Sequence, residues 1–373
     1  MRRSRPKGRA IQTLHGEVSY ERAVYECPQC RRSYAPLDRE LGVLPHERMT
    51  LGVARKVAYE VAKSSFPDAS ASLLEQLGLA VSASECQRVS LQYGAKFDRL
   101  QRQREAGWTA PWSAQQLPDA PERTVERLVV QADAASALTR AGEENKMVYC
   151  ATAFAMEDRV EPGPDVRPMI SQRRYAASGV DGEDFTRRFK ALGARMNAYG
   201  AQAVAFVGDG APCLWAMARE TLPRNTILIQ DYWHVCEHLS QAAGLIHPGQ
   251  AEPTAALAGE LKSQLWNGEV ASIITRLKQA AAKLRGVRRK SLQREIGYLE
   301  NGQQRMDYPR YRAEGWLIGS GAVEGTCKHL VKQRFNVTGA RWKRSNIPFV
   351  LALRLSIFND EWRQDWETLR KAA

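Results

Sequence analysis

The stretch Ala203-Val-Ala-Phe-Val-Gly-Asp-Gly210 decides the fold class. A short apolar run closed by glycine predicts a buried strand. It ends on Gly208-Asp209-Gly210, where glycines let another group approach the backbone closely. The same unit recurs on both sides. Upstream, residues 125–132 form an apolar, β-branched run ending on Asp133, and residues 147–155 and 173–177 predict two more strands. Residues 182–199 predict an amphipathic helix with Phe185, Phe189, Leu192 and Met196 on one face. Downstream, a helix runs to residue 222, residues 226–229 predict a strand ending at Asp231, and residues 232–245 predict a helix. Strands alternating with helices imply an α/β sheet, with functional groups at strand ends.

The flanks read differently. Residues 48–104 predict helices over 49–63, 70–77 and 86–100, the last preceded by the capping pattern Ser82-Ala-Ser-Glu85. Two helices joined at 78–81 fit a helix-turn-helix or any helical hairpin. Residues 105–122, with Gly107, Pro111, Pro118 and Pro121, predict a linker. Residues 252–300 carry no strand pattern and predict helices. Glycine-rich 315–321 leads into a helix from Ala322, and 347–358 predicts an apolar helix. The expected units are 1–47, 48–122, 123–246, 247–316 and 317–373.

Composition narrows the class. Hydrophobic residues make up 44% of the 373, enough for a sizeable core and too many for global disorder. No apolar run approaches the roughly 20 residues that cross a bilayer, so no membrane span is expected. The basic N-terminus leads into no apolar segment, so no signal peptide is expected. Seven scattered cysteines suggest reduced thiols and a cytoplasmic chain. The net charge is +13, and residues 280–373 carry 19 Lys and Arg against nine acids. Such an excess suits a polyanion, because each cation on a phosphate releases condensed counterions.

Three acids fit the chemistry of a strand-end site. Asp133 and Asp209 end strands, and Glu324 opens the helix after Gly319-Ser-Gly321, with Ser320 as a candidate cap. Convergent carboxylates suit hard cations such as Mg²⁺ or Mn²⁺. Two such ions serve an in-line phosphodiester displacement. Lone strand-end carboxylates are often merely solvated or capping.

Several motifs together resemble the ISKra-type bacterial insertion-sequence transposases. They are Val207-Gly-Asp-Gly-Ala-Pro-Cys-Leu-Trp215, Asp231-Tyr-Trp-His-Val-Cys-Glu-His-Leu239 and Asn301-Gly-Gln-Gln-Arg-Met-Asp-Tyr-Pro309, then Gly319-Ser-Gly-Ala-Val-Glu-Gly-Thr-Cys-Lys328 and Thr338-Gly-Ala-Arg-Trp342. Tyr25-Glu-Cys-Pro-Gln-Cys30 and Ala35-Pro-Leu-Asp38 resemble that family's N-terminal region. The resemblance spans roughly residues 20–366. It implies an RNase H-like core, akin to Mutator-type transposases, with a helical insertion over 247–316 and a helical DNA-binding region before the core. It implies a catalytic Asp-Asp-Glu set of Asp133, Asp209 and Glu324 that binds Mg²⁺ or Mn²⁺. Its substrates would be double-stranded DNA, terminal inverted repeats and target DNA, handled by a nucleoid-associated homo-oligomer. Asp133 departs from the family's usual Asp-Gly, being followed by Ala134. Asp231, in a (Cys/Asp)-x-x-His pattern with His234, is a rival second acid. The family also carries a cysteine pair upstream of Cys27 and Cys30. This sequence starts after that point, so an incomplete zinc module is expected, with His15 and His46 the nearby candidate ligands.

Other readings stay open beside these. His234-Val-Cys-Glu-His238 formally matches an inverted zinc-peptidase pattern, whereas the plainer reading has His234 and His238 orient Asp231 or touch DNA. Lys328, Lys332, Arg334, Arg341, Lys343 and Arg344 are expected to grip phosphates, with a solvated helix face as the alternative. Trp342 is either a base-stacking platform or core, and Trp362 and Trp366 read as packing residues. The functional alternatives to a transposase are a non-catalytic or truncated DNA-binding relative and a nuclease of the same fold.

Overall fold

A computed structural model describes residues 2–3, 6–41, 43, 47–113, 125–160 and 168–371. The chain opens with an antiparallel hairpin of β1 (Lys7–Thr13) and β2 (Gly16–Arg22). Asp38 sits under it, accepting from Arg9 at 2.6 Å and the Tyr20 hydroxyl at 2.6 Å, with Arg22 as a further ion-pair partner. The Ala35–Asp38 motif is therefore a packing device.

Three helices follow: α1 (Leu51–Lys63), α2 (Phe66–Leu77) and α3 (Ala83–Ser113). The Ser82 Oγ accepts from the Glu85 N–H at 3.2 Å, as the capping pattern foresees. The helix then continues to Ser113, through much of the segment expected as linker; residues 114–124 lie outside the described residues. Tertiary contacts override the weak local signal. Cys86, Val89, Tyr93 and Phe97 are buried, Arg102 pairs with Asp184 at 2.6 Å, and Arg104 pairs with Asp365.

A five-stranded mixed sheet forms the centre. Its strands are β3 (Arg127–Ala137), β4 (Lys146–Ala155), β5 (Arg174–Ser178), β6 (Ala203–Gly208) and β7 (Ile227–Gln230), in the order β5-β4-β3-β6-β7. Neighbours among β5, β4 and β3 are antiparallel, and β6 and β7 run parallel to β3. The α/β class read from the sequence is the one observed.

Side chains alternate across this sheet. Leu128, Val130, Ala132, Val204 and Phe206 pack on one face with α4 (Gly182–Arg195) and α5 (Pro212–Thr221). Val129, Ala205, Val207 and Ile229 pack on the other face. Their partners are α6 (Tyr232–Ile246), α7 (Ala251–Trp266), α8 (Val270–Lys283), α9 (Gly286–Gly302) and α10 (Tyr308–Ala313). Farther along β3, Ala135 and Ala137 join a separate core with Val323, Cys327 and Leu330. Gln131 and Asp133 share the parity of Val129 and Ala135. They therefore form a polar gap between two apolar cores.

The C-terminal part comprises α11 (Gly321–Thr326), a six-residue π segment (Cys327–Lys332), a last helical turn (Gln333–Phe335), α12 (Ile347–Phe358) and α13 (Trp362–Lys371). Ala352, Leu353 and Trp366 complete the core begun by α1–α3. At Gly94, a Cβ would lie 2.3 Å from the Phe349 carbonyl oxygen, so α3 and α12 touch through backbone. Among the described residues, no helix is long and apolar enough to cross a membrane.

Candidate active site

Register brings the aspartates together. Val207 lies opposite Gln131, and Gly208 lies opposite Gln230. One residue on along β6 and two along β3, Asp209 and Asp133 stand level at one sheet edge, with Asp231 level beyond β7. Parallel neighbours lie roughly 4.8 Å apart. Asp133 does not end its strand, as the sequence suggests, because β3 continues to Ala137 paired with β4. It is an edge residue because its other neighbour, β6, has already left the sheet.

The aspartates differ in what surrounds them. Asp209 is half-buried. Its carboxylate accepts from the Ala211 N–H at 3.1 Å, and its backbone carbonyl accepts from the Tyr298 hydroxyl at 2.8 Å. Gly210 (φ +115°) is required here, since a Cβ would lie 2.4 Å from the Gln230 amide nitrogen and 2.6 Å from the Tyr298 ring. Asp133 is also half-buried. Burial pushes its carboxyl above the usual range and the Asp209 charge adds to this, while the Ala134 N–H, the Cys327 thiol and Lys332 pull it back. Asp231 is 1% exposed and fully engaged. One oxygen accepts from the His234 N–H at 2.8 Å, capping α6. The other accepts from the Ser320 N–H at 2.6 Å and from the Ser320 hydroxyl.

Glu324 reaches the same edge from the third side. Gln131 fastens its helix to β3, donating to the Gly319 carbonyl at 3.0 Å and accepting from the Val323 N–H at 3.0 Å. Sequence reasoning missed Gln131. The signal was a polar residue two positions before Asp133 within an otherwise apolar strand. Ser320 does not cap the helix with its side chain. Its hydroxyl instead bridges Asp231 and Glu324, the latter at 3.2 Å. Glu324 itself is exposed. As the side chains stand, no three His, Cys, Asp or Glu among the described residues are grouped to hold one ion.

The histidines play other parts. His238 stacks on Tyr298 at 3.7 Å between ring centroids, and its Nδ1 lies 2.6 Å from Glu295. His234 meets His238 edge-on at 5.0 Å. Asp231 is held by the backbone of His234, so neither imidazole orients it. Tyr298 links this stack to Asp209, a contact from the helical segment that periodicity could not reveal.

The basic residues divide. Lys328, Lys332, Arg341, Lys343 and Arg344 are exposed. Lys328 and Lys332 were expected on one α-helical face with Glu324, but they lie in the π segment, where i→i+5 bonding shifts later side chains off that face. Arg334 is a correction. It is 1% exposed, donates from Nε to the Val61 carbonyl at 2.7 Å, and lies over the rings of Phe66 and Trp342. It ties the catalytic-side helix to α1 and is not a surface phosphate grip. Trp342 is buried against Phe335 and Phe66, and Trp366 packs on Tyr93 and Phe97.

Cys27 and Cys30 form a turn closed by the Arg31 N–H to the Cys27 carbonyl at 2.9 Å. Cys30 and Gln29 direct hydrogen bonds at Cys27 and lower its thiol pKa. His46 lies outside the described residues.

The fold and site thus define a mixed α/β protein with a carboxylate-bearing sheet edge under a clamped helix. No protein-family model matches the chain, and no curated protein matches it either.

Proposed function

We propose that this chain is a DNA transposase with an RNase H-like core, catalysing metal-dependent phosphodiester hydrolysis and strand transfer. The observation that carries the reading is the shared edge: Asp133 and Asp209 stand level on parallel strands, and Gln131 bolts the Glu324 helix to the Asp133 strand. The order β5-β4-β3-β6-β7, with three antiparallel strands and two parallel ones, supports the RNase H-like core.

The donors suit a hard divalent ion. All are carboxylate oxygens, and Asp133 carries the strain of burial beside the charge of Asp209. Asp133, Asp209 and Glu324 would hold Mg²⁺ or Mn²⁺, which when bound activates the attacking oxygen and stabilises the leaving oxygen. The remaining work belongs to the chain. Tyr298 and Ala211 fix Asp209 from both sides of its backbone. Ser320 steadies Glu324 on the buried Asp231. Lys332, whose charge Asp133 feels, offers a cation to the scissile phosphate. Among the six cations expected on DNA, the five exposed ones remain in the proposed interface.

The test is cleavage of DNA carrying the element's ends by the purified protein with Mg²⁺ or Mn²⁺. Glu324→Gln is expected to abolish cleavage and leave salt-dependent DNA binding intact. Unchanged cleavage in that variant would remove the assignment. Binding without any metal-dependent nicking would instead favour a non-catalytic DNA-binding protein, which the present separation of the three carboxylates supports.

A further inference from the structure

A cavity of about 330 Å³ lies beyond the carboxylate edge, between the N-terminus of α2 and the loop that follows the catalytic-side helix. Phe66, Gln87, Arg334 and Trp342 line it, with exposed Arg140, Arg341 and Lys343 among its residues. Two of the lining residues hold buried N–H donors without a partner: Arg334 Nη2 and Trp342 Nε1. Arg334 and Trp342 are 1% and 6% exposed. A buried donor left unmade costs on the order of 1–3 kcal/mol, so a pair in one wall calls for acceptors. Burial and the neighbouring Arg354 pull the Arg334 guanidinium down to about 9, a second sign that its charge lacks a close counterpart.

Resting on the transposase reading, we propose that this cavity receives one unstacked nucleotide of the DNA strand, its base between Phe66 and Trp342 and its phosphate at the cationic rim. The walls supply what a base needs, namely aromatic surface and donor-only groups. Carbonyl-bearing bases such as thymine offer acceptors to both donors. A bare phosphate would use the rim and leave the aromatic walls empty. The location suits a strand leaving the carboxylate edge. Trp342 N–H donates to the Leu138 carbonyl at 3.1 Å, and Arg140 N–H donates to the Trp342 carbonyl at 3.0 Å, so the wall is built on the continuation of β3. Asp133 lies five residues upstream of Leu138, roughly 17 Å of extended chain.

The experiment compares binding of a thymidine oligonucleotide and an abasic oligonucleotide of equal length to the full chain, with inorganic phosphate as competitor. The thymidine strand is expected to bind about 10-fold more tightly, the effect of one stacked base. Gln87→Trp, which fills the cavity, is expected to remove that preference and keep the phosphate-dependent part. Trp342→Phe keeps the ring and removes one donor, and is expected to reduce the preference, so the idea does not depend on one variant folding. Equal binding of the two strands, full displacement of both by inorganic phosphate, or a preference unchanged in both variants would overturn the proposal. Metal-dependent cleavage is measured on the same preparations. Lost base preference with cleavage intact sinks the pocket alone. Base preference without cleavage supports the pocket and removes the transposase reading.

Discussion

Two neighbouring strand ends, 207–211 and 229–233, present an aspartate at the same level of the same sheet and use it differently. Asp231 is buried, with both oxygens accepting hydrogen bonds from α6 and from Ser320. Asp209 has its backbone held and its carboxylate left with one N–H, facing the charge of Asp133. A carboxylate whose acceptors are filled by protein donors is architecture. One that is positioned through its backbone and left beside a like charge is available to a ligand. Both were candidates for the second acid from sequence, and this difference favours Asp209.

The sharpest way to break the comparison is to neutralise each member. Asp209→Asn is expected to lower cleavage by on the order of 10³-fold with the unfolding midpoint nearly unchanged. Asp231→Ala is expected to cost about 2–4 kcal/mol in denaturant unfolding, through a lost cap and an unpartnered Ser320. If Asp231→Ala spared stability and removed cleavage, the two roles would be reversed.

A smaller effect is expected from the clamp. Gln131→Leu leaves the Val323 N–H and Gly319 carbonyl unpaired and loosens the Glu324 helix, so cleavage should fall about 10- to 100-fold. Single-turnover rates at saturating DNA would read this, and an unchanged rate would mean the clamp is not needed to place Glu324.

The smallest effect is a stability difference with a defined pH dependence. Asp133 has a raised folded-state carboxyl pKa, so its proton favours the folded state. Below the ordinary carboxylate range, wild type and Asp133→Asn should melt alike. As pH rises from that range through the raised value, wild type should lose stability relative to Asp133→Asn. Added Mg²⁺ should restore wild type and leave the variant unmoved. A gap that is the same at every pH would place the origin of the effect elsewhere.

Much of the sheet was legible because its apolar runs are long and their ends carry acids within glycines. The level of Asp133 and Asp209 was not, since register depends on which strands pair. Arg334 misled because an arginine in a basic stretch reads as surface, while the carbonyl that buries it, Val61, lies 273 residues away. The π segment escaped for a related reason: residue spacing cannot signal an i→i+5 turn in a run that also suits an α-helix. Glu324 was legible as the first-turn acid after glycines, but the serine beside it was assigned a helix cap and instead bridges two carboxylates.

The shared core of α1–α3 with α12 and α13 has a consequence for synthesis. Val53, Val57, Tyr93 and Phe97 leave the ribosome long before Leu353 and Trp366, which cover them. Through most of translation the first helices therefore hold an open apolar face, where chaperones would be engaged. The buried Arg354, which links the Ala62 and His329 carbonyls, arrives equally late. The Glu324 helix cannot lock against α1 until then, so DNA-cutting competence is timed to the completion of the chain.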